Sequence, residues 1–145
     1  MDVQGMNAEM VAKLLQAPAE PVAEGEYALR VVETRGRASR QARLVPLAVV
    51  RRGGRQFLVS PTRERDWVRN LLADPACAVL GRDSREDRLA VAVPDSPAAE
   101  VVSQYLASMS VPWAIRAFPV APDAPREEIR AHLGEMAVFE LVARP

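Results

Sequence analysis

The sequence has few of the residues that form cross-links, bind metals or span membranes. Its 145 residues include one cysteine, Cys77, and one histidine, His132. A single cysteine excludes an internal disulfide framework and fits a reducing cytoplasm, and without a Cys/His cluster we expect no metal site. No run of about 18 apolar residues is present, so we expect no membrane span. The N-terminus lacks a basic region followed by an apolar core, so we expect no secretion signal.

Net charge is also absent, because 19 basic and 19 acidic residues cancel. The molecule therefore has no overall field that favours nucleic acid or a membrane surface, and any anion site must be local. Every basic residue except Lys13 is an arginine. A GC-rich genome explains most of that bias, which lowers the weight of any single arginine. The hydrophobic fraction of 49% is that of a globular domain with a real core.

The spacing of apolar and turn residues predicts an α+β fold. Strands are predicted at residues 27–33, 44–50, 56–60, 76–80, 89–93 and 137–143, and helices at 6–16, 63–73, 96–109 and 126–133. The strands come mostly as hairpins, with helices between pairs rather than after every strand. We therefore expect a mostly antiparallel sheet of about six strands, closed into a small single-domain barrel with flanking helices.

Three local signals refine this prediction. Gly53-Gly54 is typical of a hairpin turn, and the charged segment 81–88 is predicted to be a turn. Ser96 followed by Pro97 is typical of a helix cap and first turn. Residues 1–25 are predicted to form an N-terminal helix and linker, which packs on the domain or seals a pocket, and 26–145 the barrel domain. The proline-rich passage 111–125 has no predicted role.

An arginine-rich segment, TRGRASRQARLVPL, links the first two predicted strands at residues 34–47. It holds Arg35, Arg37, Arg40 and Arg43 around one glycine. Glycine allows close backbone approach, and guanidinium forks with loop amides can surround phosphate or carboxylate oxygens. Composition alone favours a solvated turn, because arginine-rich hairpin turns are common. The alternative is a cradle for an anion.

A second candidate is DWVRN at residues 66–70. On a helix, Trp67 and Asn70 share one face and present an indole plane beside an amide that both donates and accepts hydrogen bonds. Such a pair can hold a planar heterocycle. Burial of Trp67 in the core is the more common outcome for a tryptophan at helical spacing.

Together these segments resemble the deazaflavin-dependent nitroreductase family, which belongs to the flavin-binding split β-barrels. The resemblance rests on a glycine-arginine turn ending in R-x-x-P-L, a strand ending in serine, and a tryptophan-asparagine helix that runs into Asp74-Pro75. It covers residues 26–110 and, more loosely, the last strand. The resemblance implies a split barrel that binds coenzyme F420, a deazaflavin hydride carrier.

The resemblance also implies roles for particular residues. The phosphate of the cofactor would meet Arg37, Ser39 and Arg43, its ring would lie along the backbone of Pro46 and Leu47, and Ser60, Trp67 and Asn70 would enclose it. The substrate side would be lined by Ala48, Met109 and Trp113. The tyrosine cluster of the family has no clear counterpart here, so we expect a substrate other than a nitroaromatic.

The implied reaction is hydride transfer to an electron-poor double bond of a small molecule, such as an enone, quinone, imine or dehydroamino acid. Negative charge then develops on the conjugated oxygen or nitrogen and needs a donor, for which Ser60 comes first and Tyr105 or water next. Two alternatives stay open. One is an oxidoreductase that uses flavin mononucleotide (FMN), and the other is a barrel that binds a cofactor without turnover. A homodimer is compatible with this barrel shape.

Overall fold

The computed structural model describes residues 3–145 of the chain. Its helices are α1 (Val3–Leu14), α2 (Asp66–Ala73), α3 (Asp95–Ser108), α4 (Pro112–Arg116) and α5 (Arg126–Ala131), followed by a 3-10 turn at Leu133–Glu135. Its strands are β1 (Tyr27–Arg35), β2 (Ala42–Arg52), β3 (Arg55–Ser60), β4 (Ala76–Gly81), β5 (Ser84–Ala92) and β6 (Ala137–Ala143).

The six strands close into a barrel in the order β1-β2-β3-β6-β5-β4, with β4 returning to β1. Every neighbouring pair is antiparallel. The predicted α+β barrel with flanking helices is therefore confirmed. Closure leaves no free sheet edge, which removes the usual site of strand-to-strand aggregation.

Side chains of the strands pack alternately into two hydrophobic cores, one inside the barrel and one outside it. On β2, Leu47 and Val49 join the barrel interior together with Trp67 and Leu71 of α2, whereas Val50 joins a second core outside the barrel. That second core is covered by α3 and α5, which contribute Leu106 and Ile129 among others. Because side chains alternate along a strand, Pro46 and Ala48 share the outer face with Val50.

Two local predictions are corrected by the structure. The turn predicted at residues 81–88 is much shorter, because β4 ends at Gly81 and β5 begins at Ser84. The charged side chains of β5 pair along the exposed strand, where Arg85 contacts Glu33 at 2.9 Å and Asp87 at 3.0 Å. Helix α3 begins at Asp95 after Pro94, and no side chain caps it, so Ser96 is not its cap. The proline-rich passage contains the short helix α4.

The N-terminal segment packs on the barrel. Helix α1 lies against β1 and β2, and it ends at Leu14 rather than residue 16. The following linker is held by backbone hydrogen bonds, among them Arg82 N–H to the Ala17 carbonyl at 3.0 Å and Gly25 N–H to the Arg51 carbonyl at 3.0 Å. Residues 1 and 2 of the predicted segment lie outside the described part. None of the helices within residues 3–145 has the length and apolarity needed to cross a membrane.

Glu24 lies in the linker before β1, and its carboxylate binds the backbone of the β2–β3 hairpin. Its oxygens accept hydrogen bonds from Gly54 N–H at 2.8 Å and Gly53 N–H at 2.6 Å. Both glycines have positive φ, which turns their N–H groups toward the carboxylate. These hydrogen bonds lower the pKa of Glu24 below its ordinary value of 4.5, and Arg51 lowers it further.

A lowered folded-state pKa gives Glu24 a pH-dependent effect on stability. The contribution is present above the unfolded-state pKa and is lost as pH falls through the folded-state pKa. We therefore expect Glu24→Gln to lower the thermal midpoint near pH 7, and we expect the gap to wild type to narrow below pH 4.5. Thermal unfolding across a pH series measures the difference in thermal midpoint between this variant and wild type. The matched control Glu26→Gln changes the same charge at an exposed neighbour, and an equal gap there would contradict the prediction.

Candidate cofactor site

The loop between β1 and β2 is a tight turn built around Gly36. The N–H of Gly36 donates to the Gln41 carbonyl at 2.8 Å, and the N–H of Arg40 donates to the Gly36 carbonyl at 2.8 Å. Arg40 itself is in the left-handed region, with φ of 62°. A Cβ at position 36 would lie 2.6 Å from Ser39 Oγ and 3.4 Å from Arg43 Nε. The absence of a side chain at Gly36 therefore lets Ser39 and Arg43 approach the turn.

Arg37 fastens this loop to helix α2. Its backbone N–H donates to Asn70 Oδ1 at 3.1 Å, and its Nη1 donates to the same oxygen at 2.9 Å. Its Nη2 contacts Asp66 Oδ1 at 3.2 Å. On the other side, Asn70 Nδ2 donates to Thr34 Oγ1 at 3.2 Å. Asn70 is thus a buried clamp between the strand, the loop and the helix.

Arg40 and Arg35 also hold the loop. Arg40 Nη2 contacts Asp74 Oδ2 at 3.1 Å, and Arg35 Nη1 donates to the Arg40 carbonyl at 3.2 Å. The pKa of Asp74 is lowered first by the N–H of Ala76 and then by Arg40. Three of the four arginines therefore have partners within the protein, and they fix the loop in place.

The fourth arginine and two backbone amides remain available. Arg43 makes one long contact, from Nη2 to Ser39 Oγ at 3.5 Å, which leaves most of its donors free. Within residues 3–145, the N–H groups of Ala38 and Ser39 also have no hydrogen-bond acceptor. All three residues are exposed. A guanidinium with free donors beside free amides is a suitable arrangement for a phosphate or carboxylate.

Trp67 of α2 lies in the barrel interior. It is 6% exposed and its ring is tilted against Phe139 at a centroid distance of 6.2 Å. Its indole N–H is buried and has no acceptor within the described residues. A buried unpaired donor is costly, so this N–H is a position where an acceptor from a ligand would be stabilising.

The predicted ring-binding strand lies beside this helix. Leu47 is 9% exposed and points into the barrel. It belongs to the same hydrophobic core as Trp67. Pro46 and Ala48 are half-buried on the outer face. The predicted ring contact therefore involves residues of one strand whose side chains lie on different faces, and Ala48 belongs to the outer one.

The two predicted donors differ in environment. Ser60 is fully buried, and its hydroxyl donates to the Thr62 carbonyl at 2.5 Å. Tyr105 lies on α3, with its ring edge-on to Tyr27 at 5.2 Å and to Phe118 at 6.1 Å. Burial raises the pKa of Tyr105 to about 12. Tyr105 therefore stays protonated at neutral pH, and its hydroxyl has no partner within residues 3–145.

The two remaining residues of the predicted substrate side differ in their exposure to solvent. Met109 is 7% exposed and belongs to the core outside the barrel. Trp113 of α4 is 71% exposed. Cys77 is buried, and burial raises the pKa of its thiol to about 11, so it stays protonated at neutral pH. His132 is half-buried and contacts Glu135.

Sequence reasoning gave no role to three residues that shape the site. They are Asp66, which pairs with Arg37, Asp74, which pairs with Arg40, and Thr34, which accepts from Asn70. Asp66 stands in the DWVRN segment and follows the loop by 29 positions. Asp66 lies in the first turn of α2 and Asp74 directly follows its last residue, so two acidic residues at the ends of this helix are the sequence signal for ion pairs with the loop.

A family model for F420H2-dependent quinone reductases matches residues 23–121, which include the loop, β2 and α2. The chain belongs to this family. It is an F420-dependent reductase, and coenzyme F420 is its cofactor. The resemblance to deazaflavin-dependent reductases is thereby confirmed. No curated protein matches the chain.

Solved structures of similar fold extend this comparison. An F420-H2 dependent reductase is 21% identical, with 85% of this chain and 99% of that chain covered and a TM-score of 0.50. A heme binding protein from Mycobacterium smegmatis is 14% identical, with a TM-score of 0.54; the match covers 78% of this chain but 45% of that protein. A domain-swapped dimer is 20% identical, with 92% and 94% covered and a TM-score of 0.52. At these identities the likeness shows the fold alone.

The residues of this F420-dependent reductase are chemically suited to its cofactor. Gly36 makes room for a close turn, Arg43 and the amides of Ala38 and Ser39 are free toward an anion, and Trp67 has an unpaired N–H. A cofactor with a phosphate and a carbonyl-bearing ring offers acceptors for both kinds of donor.

Proposed function

We propose that this chain holds reduced coenzyme F420 in the loop 36–43 and reduces an electron-poor double bond of a small molecule. The observation that carries the proposal is the clamp of Arg37 onto Asn70 and Asp66, which fixes the loop while Arg43 stays free. A site that is ordered before binding loses less entropy when the ligand arrives. When bound, the reduced cofactor supplies a hydride.

In this proposal each part of the site binds or orients. Arg43 and the amides of Ala38 and Ser39 bind the phosphate, while Arg37 and Asn70 position the loop. The backbone of Pro46 and Leu47 lies along the ring, and the Trp67 N–H donates to a ring acceptor. Because the ring end lies against the barrel interior, water is excluded there and electrostatic interactions are strengthened.

Proton supply is assigned to Tyr105 or water rather than to Ser60. The Ser60 hydroxyl hydrogen is already directed at the Thr62 carbonyl, inside the protein. Tyr105 carries its proton at neutral pH, with a pKa of about 12, and its hydroxyl has no partner in the described part of the chain. The acceptor classes remain enones, quinones, imines and dehydroamino acids, with Ala48, Met109 and Trp113 as the proposed substrate side.

Binding and turnover can be separated experimentally. Titration of the purified protein with coenzyme F420 and with FMN is expected to give saturable binding of F420 and much weaker binding of FMN. Tight FMN binding without F420 affinity would overturn the cofactor assignment. A screen of enones, quinones, imines and dehydroamino acids then follows oxidation of reduced F420 by its absorbance. Binding without oxidation by any acceptor would identify a carrier rather than a reductase.

Two further expectations stay predictions. A homodimer is supported by the likeness to a domain-swapped dimer and by the exposed apolar side chains of Leu29 and Leu44 on the first hairpin. A cytoplasmic location is supported by the single cysteine, which forms no disulfide within the chain.

A further inference from the structure

Helix α1 lies over the outer face of the hairpin formed by β1 and β2. In the register of these strands, Val31 stands opposite Pro46 and Leu29 stands opposite Ala48. Val32 belongs to the core inside the barrel, so its neighbour Val31 faces outward. Val31 is nevertheless 0% exposed. Because α1 packs on both β1 and β2, we infer that this helix covers Val31.

The contact between α1 and the hairpin is narrow. Within residues 5–14, Val11 is the only buried residue, and Met6 and Met10 are exposed. Val11 and Val31 are absent from both cores of the domain. Between residues 6 and 14, no side chain forms a hydrogen bond or an ion pair with any other residue of the described part, 3–145. Apolar contact along one stripe, with Val11 at its centre, therefore holds α1 in place.

The linker that follows α1 is held much more firmly. Arg82 N–H donates to the Ala17 carbonyl at 3.0 Å, and Arg51 Nη1 donates to the Val22 carbonyl at 3.0 Å. The Val22 side chain is buried in the core inside the barrel. The lightly held helix is thus joined to a fixed segment, and residues 15–16 between them are the place where the helix can hinge.

Apolar surface remains exposed on both sides of this contact. On the hairpin, Leu29 and Leu44 are each 42% exposed. Of the seven large apolar side chains that are exposed within residues 3–145, these two and the two methionines of α1 make four. Pro46 and Ala48, assigned above to the ring and to the substrate side, lie on the same face and are half-buried. A flat apolar ligand on this face would bury surface that the free protein leaves in water.

We propose that α1 is a lid on this face, which opens at residues 15–16 to admit the cofactor ring and the acceptor and then closes over them. The inference rests on the proposed function and adds an outer wall to its substrate side. The wall is apolar, with Met6 and Met10 on the helix and Leu29 on the strand, so it favours an acceptor with an uncharged, apolar flank. Closure excludes water from the place where the hydride is transferred.

Hydrogen exchange of the free protein tests whether α1 opens by itself. Amides of residues 8–14 are expected to exchange about 100-fold or more faster than those paired between β1 and β2. Low concentrations of urea should leave this exchange unchanged, because a local opening exposes little surface. Exchange of α1 at the rate of the two strands would show that the helix leaves only when the domain unfolds, and the lid would be overturned.

Exchange in the presence of cofactor tests closure. Saturating oxidised F420 is expected to slow the exchange of residues 8–14 by about 10-fold, because binding favours the closed helix. Unchanged exchange at saturating F420 would show that α1 does not close over the cofactor. A protein that fails to bind F420 in the titration described above would contradict the proposed function, whereas fast local exchange of α1 in the same protein would still support an opening helix.

The variant Val11→Ser tests the contact that holds the lid. Loss of this buried side chain is expected to speed dissociation of F420 by about 10-fold, measured by stopped-flow fluorescence. Ala12→Ser is the matched control, since it places the same side chain at the exposed next position. It costs more helix propensity than Val11→Ser, so simple fraying of α1 predicts the opposite order. A wild-type dissociation rate in Val11→Ser, or an equal increase in the control, would contradict the lid.

The apolar wall is tested separately with 2-methyl-1,4-naphthoquinone as an uncharged acceptor. Leu29→Asn is expected to raise the KM for this acceptor by about 10-fold, because apolar surface that the acceptor buries is lost. Leu72→Asn is the control, since Leu72 is 50% exposed on α2, away from the hairpin, and its KM should stay that of wild type. An unchanged KM in Leu29→Asn would show that the acceptor does not lie under α1.

Discussion

Replacement of Arg43 by glutamine is expected to weaken binding of coenzyme F420 by about 10- to 100-fold, because charge-assisted hydrogen bonds to the phosphate are lost. The protein itself should unfold at nearly the wild-type temperature. Arg43 is exposed and makes only the 3.5 Å contact with Ser39 Oγ, and such surface substitutions change the free energy of unfolding by about 0.5 kcal/mol at most. Fluorescence titration and thermal unfolding measure the two effects.

The variant Arg37→Gln distinguishes the loss of a phosphate contact from the loss of loop structure. Arg37 holds the loop through Asn70 and Asp66, so its loss should lower affinity and stability together. Arg130→Gln, on the exposed face of α5, is the charge-matched control and should change neither. An Arg43→Gln variant that bound F420 as well as wild type would show that the phosphate lies elsewhere, and the cradle would have to be abandoned.

The sequence did not distinguish the structural role of Arg37 from the free guanidinium of Arg43. The sequence predicted both as phosphate contacts, since both stand in one loop with the spacing of the family. It also predicted the barrel, because alternating apolar strands and Gly53-Gly54 are local signals. The partners of Arg37 are 29 and 33 positions away, and pairing over such distances depends on how α2 packs into the barrel.

The charged part of strand β5 could not be predicted from the sequence, because the residue that pairs with it also lies far away along the chain. Residues 84–88 are all charged or polar, which is typical of a loop, yet they continue β5. Arg85 pairs with Glu33 on another strand, so the sheet itself supplies the neighbour that stabilises the extended backbone. For Trp67, the helical spacing fitted a pocket wall but favoured a residue of the core. The structure places it in the core but leaves its N–H unpaired.

Replacement of Asn70 by leucine is expected to have the largest effect on stability, with a loss of about 2–4 kcal/mol in the free energy of unfolding. Three hydrogen bonds disappear, from Arg37 N–H, from Arg37 Nη1 and to Thr34 Oγ1. Leucine has a similar volume but no polar atoms, so the Arg37 amide and the buried Thr34 hydroxyl lose this partner. For a chain of this size the thermal midpoint should fall by roughly 6–12 °C.

Thr34→Val separates the clamp from the packing around it. It removes only the contact from Asn70 Nδ2, so we expect a loss of about 1 kcal/mol and F420 affinity close to wild type. Asn70→Leu should lower F420 affinity at least as much as Arg37→Gln, because it frees the loop that Arg37 holds. If urea unfolding gave equal losses for Thr34→Val and Asn70→Leu, the bonds to Arg37 would add nothing to stability. The loop would then owe its order to Gly36 and the Arg40–Asp74 pair instead.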